Sequence, residues 1–103
     1  MATEVGNNAA LARFELTADG QAAGYIEYQD TASERALVHT VIFPEFAGQG
    51  YASELVEAAL NASRAAGFEI LPLCPFVRGY ITKHPAYIAL VPQASRAMFN
   101  LPE

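Results

Sequence analysis

The stretch Val41-Ile42-Phe43-Pro44-Glu45-Phe46-Ala47-Gly48-Gln49-Gly50-Tyr51-Ala52 restricts the fold of this chain more than any other. An apolar run ends at a proline, two glycines follow, and Ala52 to Leu60 is rich in strong helix formers. The order predicts a strand, a tight glycine turn and a helix. Gly48 and Gly50 carry no Cβ, so the backbone turns sharply there and a ligand can approach its N–H groups. The first N–H groups of a helix lack intrahelical partners, and the helix dipole adds partial positive charge. A phosphate or pyrophosphate is the natural guest of such a turn.

The flanking segments supply the rest of an α+β fold. Leu11 to Leu16 alternates apolar and polar residues and reads as a strand. Ala18-Asp19-Gly20-Gln21 carries the Asp-Gly hairpin signal, and a second strand follows over Ala22 to Tyr28. Ala36 to Phe43 reads as a third strand, apolar enough to suggest cover on both faces. These three strands predict an antiparallel meander. A main helix is expected from Ala47 or Gly48 to Ala66, with a buried stripe of Ala52, Leu55, Val56, Ala59, Ala62 and Ala66. Gly67 is placed to cap it. Phe68 to Leu71 reads as a fourth strand, parallel to the third because a strand–helix–strand crossover is right-handed. A short second helix spans Leu73 to Pro85, with Pro75 at its first position. Residues 1–10 read as a flexible N-terminal tail, 11–91 as one domain, and 92–103 as a C-terminal tail with a mobile end.

With this order of elements, several short motifs combine into a resemblance. They are His39-Thr40 on the third strand, Pro44-Glu45 with Gly48-Gln49-Gly50, Pro72-Leu73-Cys74-Pro75-Phe76-Val77, and Lys83-His84-Pro85. The chain resembles the small single-domain GNAT-like N-acetyltransferases over about residues 11 to 91. The resemblance implies a minimal acyl-CoA N-acyltransferase core without the N-terminal helices and C-terminal strands of larger members. It implies acetyl-CoA as substrate and an unidentified amine as acceptor. It also implies an acyl-CoA pyrophosphate loop, Arg/Gln-x-x-Gly-x-Gly/Ala, in which Gly50 and Ala52 take the two small positions. The cofactor-contacting residues would be Val41, Phe43, Ala47, Gly48, Gln49, Gly50, Tyr51 and Ala52, with N–H groups near Val41 and Phe43 orienting the pantetheine. Two positions depart from the pattern. Ala47 stands at the Arg/Gln position, and Val41 stands where many members carry an acidic residue.

Two residues are candidates for chemistry. Cys74 precedes Pro75 at a helix start, where thiolate formation is favoured. It can relay an acyl group or be a small buried hydrophobe. His39 has the pKa range of a general base that deprotonates an amine or activates Cys74; the bland alternative is a hydrogen-bonded sheet histidine. His84 is read as a helix-end cap rather than a catalyst. One of Arg78 and Lys83 could reach a CoA phosphate. Tyr80 and Glu45 are weaker candidates, for protonating the leaving thiolate and orienting the acceptor.

Composition bounds the remainder. The 103 residues are 52% hydrophobic and 17% charged, which suits a globule with one modest core. Net charge is -5, which argues against general nucleic-acid binding. No apolar run reaches the ~20 residues of a membrane span. A single cysteine forms no internal disulfide and suits a reducing cytoplasm. Two histidines and that cysteine show no metal-type spacing. Monomer or weak homodimer is expected. A CoA-binding module without efficient transfer, or a partner-binding domain that keeps only the fold, are the alternatives.

Overall fold

The computed structural model describes residues 2–103. Five strands form one sheet in sequence order: β1 (Thr3–Asn8), β2 (Arg13–Ala18), β3 (Gln21–Asp30), β4 (Glu34–Ile42) and β5 (Glu69–Pro72). Strands β1 to β4 run antiparallel, and β5 joins β4 in parallel. Helix α1 (Tyr51–Ala65) makes the crossover, and helix α2 (Pro75–Lys83) follows β5. The α+β meander, crossover helix and parallel last strand expected from the sequence are all present. Asp19 and Gly20, both at positive φ, turn β2 into β3, as the Asp-Gly pair requires.

One sheet face packs on α1. Phe14, Leu16, Ile26 and Leu37 from the strands meet Leu55, Val56, Ala59 and Leu60 from the helix, all essentially buried. Gly67, at φ +84°, ends α1 in a left-handed turn. Its N–H donates to Arg64 O at 3.0 Å, and that of Phe68 donates to Ser63 O at 3.0 Å.

Arg35 is a charged residue inside this core, 5% exposed. Its Nε and Nη2 donate to the two Asp30 carboxylate oxygens at 2.8 and 2.9 Å, and Nη1 donates to Ser63 Oγ at 3.2 Å. The guanidinium lies 4.2 Å from the ring centroids of both Tyr28 and Phe68. No local sequence signal marks this anchor.

Several expectations need correction. The predicted N-terminal tail is strand β1 from Thr3 onward; Met1 lies outside the described residues. Its sequence has one apolar residue of strand type, Val5, so pairing with β2 and polar contacts to other elements hold it. Asn7 Oδ1 accepts from Tyr28 at 2.7 Å, and Thr3 Oγ1 donates to Glu54 on α1. Helix α1 begins at Tyr51 rather than Ala47 or Gly48, because Gly48 and Gly50 take φ of +79° and +77°. Its buried stripe is turned from the predicted one: Tyr51, Leu60 and Ser63 are inside, whereas Ala62 and Ala66 are exposed. Strand β4 is not covered on both faces beyond Leu37, and His39 is exposed. The C-terminal segment forms short 3-10 turns at Gln93–Ser95 and Ala97–Phe99, and it buries Phe99 and Leu101.

Candidate functional site

Strands β4 and β5 pair only from Glu34↔Glu69 to Leu37↔Pro72. One more bond, from Cys74 N–H to Leu37 O at 2.9 Å, closes the ladder. Beyond it β4 continues to Ile42 while the chain turns away into α2, so the strands separate. The register between β3 and β4 shifts beside Val38: Glu27 pairs with His39 and Tyr28 with Leu37. The extra residue is a β-bulge, which bends the strand and reverses the facing of the residues after it.

The bulge decides which main-chain groups face the opening. Phe43 N–H donates to Ala23 O at 2.9 Å and is therefore occupied. The Val41 carbonyl also lies against β3, where a Cβ on Gly24 would collide with it. The N–H groups near Val41 and Phe43 expected to orient a ligand thus point the other way. Alternation along the strand turns the groups of Thr40 and Ile42 to the open side.

The loop expected to hold an anion stands at the end of this opening. Glu54 N–H donates to Gly50 O at 3.2 Å, the first bond of α1. Among the described residues, the N–H groups from Gly48 to Ser53 have no protein partner, and no side chain caps the helix. A Cβ on Gly48 or Gly50 would meet open space. The loop borders a cavity of about 300 Å³ lined by Ile42, Phe46, Ala47, Tyr51 and Phe76 among others. The Tyr51 hydroxyl is buried without a hydrogen-bond partner. Gln49 is exposed and does not line the cavity.

Ser53 and Phe76 also line a second cavity of about 290 Å³, so a groove of two adjoining cavities follows α2 as far as Tyr80, Lys83 and His84. Tyr80 and His84 stack, centroids 4.1 Å apart, and His84 Nδ1 lies 2.9 Å from Tyr80 O. Lys83 is the cation of this end; Arg78 faces a separate cavity with Phe99 and Asn100. The Tyr80 hydroxyl donates to Glu57 on α1 at 3.0 Å. Burial first, and then this bond, push its pKa from 10.0 to about 12. The phenol is thus held in its protonated form as a donor to Glu57. A raised folded-state pKa favours the protonated form, so this contribution to stability is complete below pH 10 and lost as pH rises through about 12. Glu57→Gln should lower the Tyr80 titration only part of the way to 10.0, because burial remains. Ring NMR shifts against pH would show this, and an unmoved titration would remove Glu57 from the explanation.

The structure separates the two candidate catalysts. Cys74 is the N-cap residue of α2, 5% exposed, and its Sγ lies 3.3 Å from Thr40 Oγ1. Its side chain makes no cap hydrogen bond. Thr40 and His39 are neighbours on β4 and face opposite sides of the sheet. His39 therefore lies across the strand from Cys74. It lines a cavity of about 340 Å³ with Leu11, Ala12, Glu27, Tyr28, Gln29 and Val38. Sequence reading overlooks Glu27 and Ser53. No motif marks Glu27, and only the strand register brings it beside His39. Glu45 lies in the 3-10 turn Pro44–Phe46, outside these cavities.

The mixed sheet whose last parallel pair parts at a bulge, beside a helix with a glycine N-terminus, is the minimal α+β core expected from the sequence. The model of the GCN5-related N-acetyl-transferase family matches residues 13–91, and the chain belongs to that family. A GCN5-like putative N-acetyltransferase from Staphylococcus aureus, solved by NMR, superposes with a TM-score of 0.64 at 22% identity, over 86% of this chain and 87% of that one. Ard1 from Thermoplasma volcanium superposes with a TM-score of 0.50 at 21% identity, over 55% of this chain and 39% of that one. At these identities the structures speak for the fold. No curated protein sequence matches this chain. No helix among the described residues is long and apolar enough to cross a membrane.

Proposed function

We propose that this chain transfers an acetyl group from acetyl-CoA to an amine. The observation that carries the reading is the run of unpartnered N–H groups from Gly48 to Ser53, at the rim of a cavity that meets the β4–β5 opening. Those donors suit the pyrophosphate, and the N-terminal end of α1 adds partial positive charge. The pantetheine arm would follow the opening toward Leu37 and Cys74, with Thr40 and Ile42 offering main-chain groups. Lys83, at the far end of the groove, suits a further phosphate of the same molecule.

His39 is the proposed base, acting from the face opposite the acyl donor. Direct attack by the amine is favoured over relay through Cys74, because that thiol is buried against Thr40. Cys74 then serves as a positioning residue that ties the start of α2 to β4. A free cysteine suits a reducing cytoplasm. Ala47, at the position of a phosphate-binding Arg or Gln, favours a second reading: a CoA-binding module with little turnover.

Gly50→Val tests the loop. It places a branched side chain in the open space beside the N–H groups, at φ +77°. The expected result is acetyl-CoA affinity at least tenfold weaker, about 1.4 kcal/mol, by calorimetry. Backbone strain alone costs about 1–2 kcal/mol of stability. Gly67→Val is the matched control, since Gly67 has φ +84° and also meets open space, at the far end of α1. It should lose similar stability and keep full affinity. Equal affinities for both variants would place acetyl-CoA elsewhere. In the parent chain, acetyl-CoA at 100 times its Kd should stabilise the fold by about 2.7 kcal/mol. Stabilisation without transfer to any amine would select the module reading.

A further inference from the structure

Taking acyl transfer at the β4–β5 opening as the premise, we infer that the cavity beside Glu27 and His39 is the acceptor site, and that it selects small primary amines in their cationic form. The inference rests on the groups that the bulge brings together. Glu27 and His39 are direct cross-strand partners on the sheet face away from Thr40 and Cys74. Both line the cavity of about 340 Å³, within the ~300–1,000 Å³ typical of small-molecule sites. Leu11, Ala12 and Val38 form its apolar wall, and Gln29 adds a neutral polar group.

The Glu27 carboxylate is free for a ligand. Its neighbour on β2 is Arg13, the cation closest in register. Arg13 turns toward Glu15 rather than Glu27: its Nε donates to Glu15 at 2.7 Å, its guanidinium lies 4.4 Å from the Tyr25 centroid, and neither Nη bonds Glu27. The bonds from Arg13 and Asn8 hold the Glu15 carboxyl below its usual range, which marks Glu15 as the paired carboxylate. Among the described residues, Glu27 has neither an ion pair nor a side-chain hydrogen bond. An exposed carboxylate beside an apolar wall recognises an ammonium carrying an apolar arm. The net charge of -5 draws cations to the surface in general.

The location suits transfer. Val38 and His39 border this cavity, and the neighbouring Thr40 faces Cys74. One strand thus separates acceptor from donor, at the point where β4 loses its β5 partner. Glu27 holds the ammonium and His39 takes one of its protons. The freed amine nitrogen forms a bond to the thioester carbonyl carbon. The C–S bond breaks, the nitrogen sheds a second proton, and CoA leaves as a thiolate that gains a proton to become the thiol. The balance is ammonium plus acetyl-CoA giving amide, CoA thiol and one proton, which leaves His39 for solvent.

The test is an NMR titration of the isotope-labelled chain with 2-phenylethylamine, and in parallel with 2-phenylethanol, a neutral probe of similar size. The expected result is amide shifts centred on Leu11, Ala12, Glu27 and His39, with the amine binding at least tenfold tighter. Glu27→Gln, at an exposed position, should keep the fold and abolish that preference. In turnover it should raise KM for the amine about tenfold and leave acetyl-CoA affinity unchanged. Equal binding of the two probes, shifts confined to the Gly48–Ser53 groove, or an unaltered preference in Glu27→Gln would each overturn the inference. The titration needs no acetyl-CoA, so failure of acetyl-CoA to bind would count against the transfer reading alone.

Discussion

Asp30→Ala should lower the unfolding free energy by about 3 kcal/mol, near the low end for breaking a buried ion pair from one side. The size reflects the charge left behind. Arg35 would keep its charge at 7% side-chain exposure, between two aromatic rings, with Ser63 as its one remaining side-chain hydrogen-bond partner. Asp30 retains 31% exposure, which holds the loss below the upper limit for such pairs. Chemical denaturation at neutral pH measures it directly. Two controls separate charge from packing. Asp30→Asn keeps one acceptor and should lose less. Adding Arg35→Met to Asp30→Ala should recover part of the loss, because an apolar side chain replaces an unpaired cation. A loss below about 1 kcal/mol, the range of surface pairs, would mean that the guanidinium swings out and is hydrated.

This anchor also marks the limit of local sequence signals. The order of elements was legible because each has a local cause: an Asp-Gly turn, a glycine pair before a helix, Gly67 after it, and Pro75 at a first helical position. Arg35, Asp30 and Ser63 have no such mark. Their pairing joins positions that are up to 28 residues apart in the chain. The same contact explains the helix stripe, since Ser63 is buried as a hydrogen-bond partner and not as an apolar residue. Strand β1 was missed for a related reason. Thr3 to Asn8 is polar, and β2 supplies its ladder partners. The loop at Gly48 to Ser53 was legible because its conformation depends on glycine at two positive φ angles. The facing of β4 was not legible. A one-residue bulge beside Val38 decides which groups reach the opening, and no residue type announces it.

His39→Gln is expected to lower acetyl transfer by ~100-fold, the low end of what a positioned general base contributes, while Cys74→Ser keeps turnover within a few-fold of the parent chain. The contrast comes from the two faces of β4. His39 lines the cavity with Glu27, whereas Cys74 is buried and bonded to Thr40 on the other side. A serine hydroxyl preserves a hydrogen bond to Thr40, but it is a far poorer acyl carrier than a thiol at neutral pH. Relay and direct attack therefore predict opposite results for one conservative change. Intact mass after incubation with acetyl-CoA alone adds a second reading: direct attack leaves the chain unmodified. An acetyl adduct removed by hydroxylamine, together with an inactive Cys74→Ser variant of normal stability, would establish the relay instead. His39→Gln must also leave acetyl-CoA affinity unchanged by calorimetry, because the imidazole lies across the strand from the proposed donor groove. A parallel loss of affinity would show that His39 shapes β4 and does not move protons.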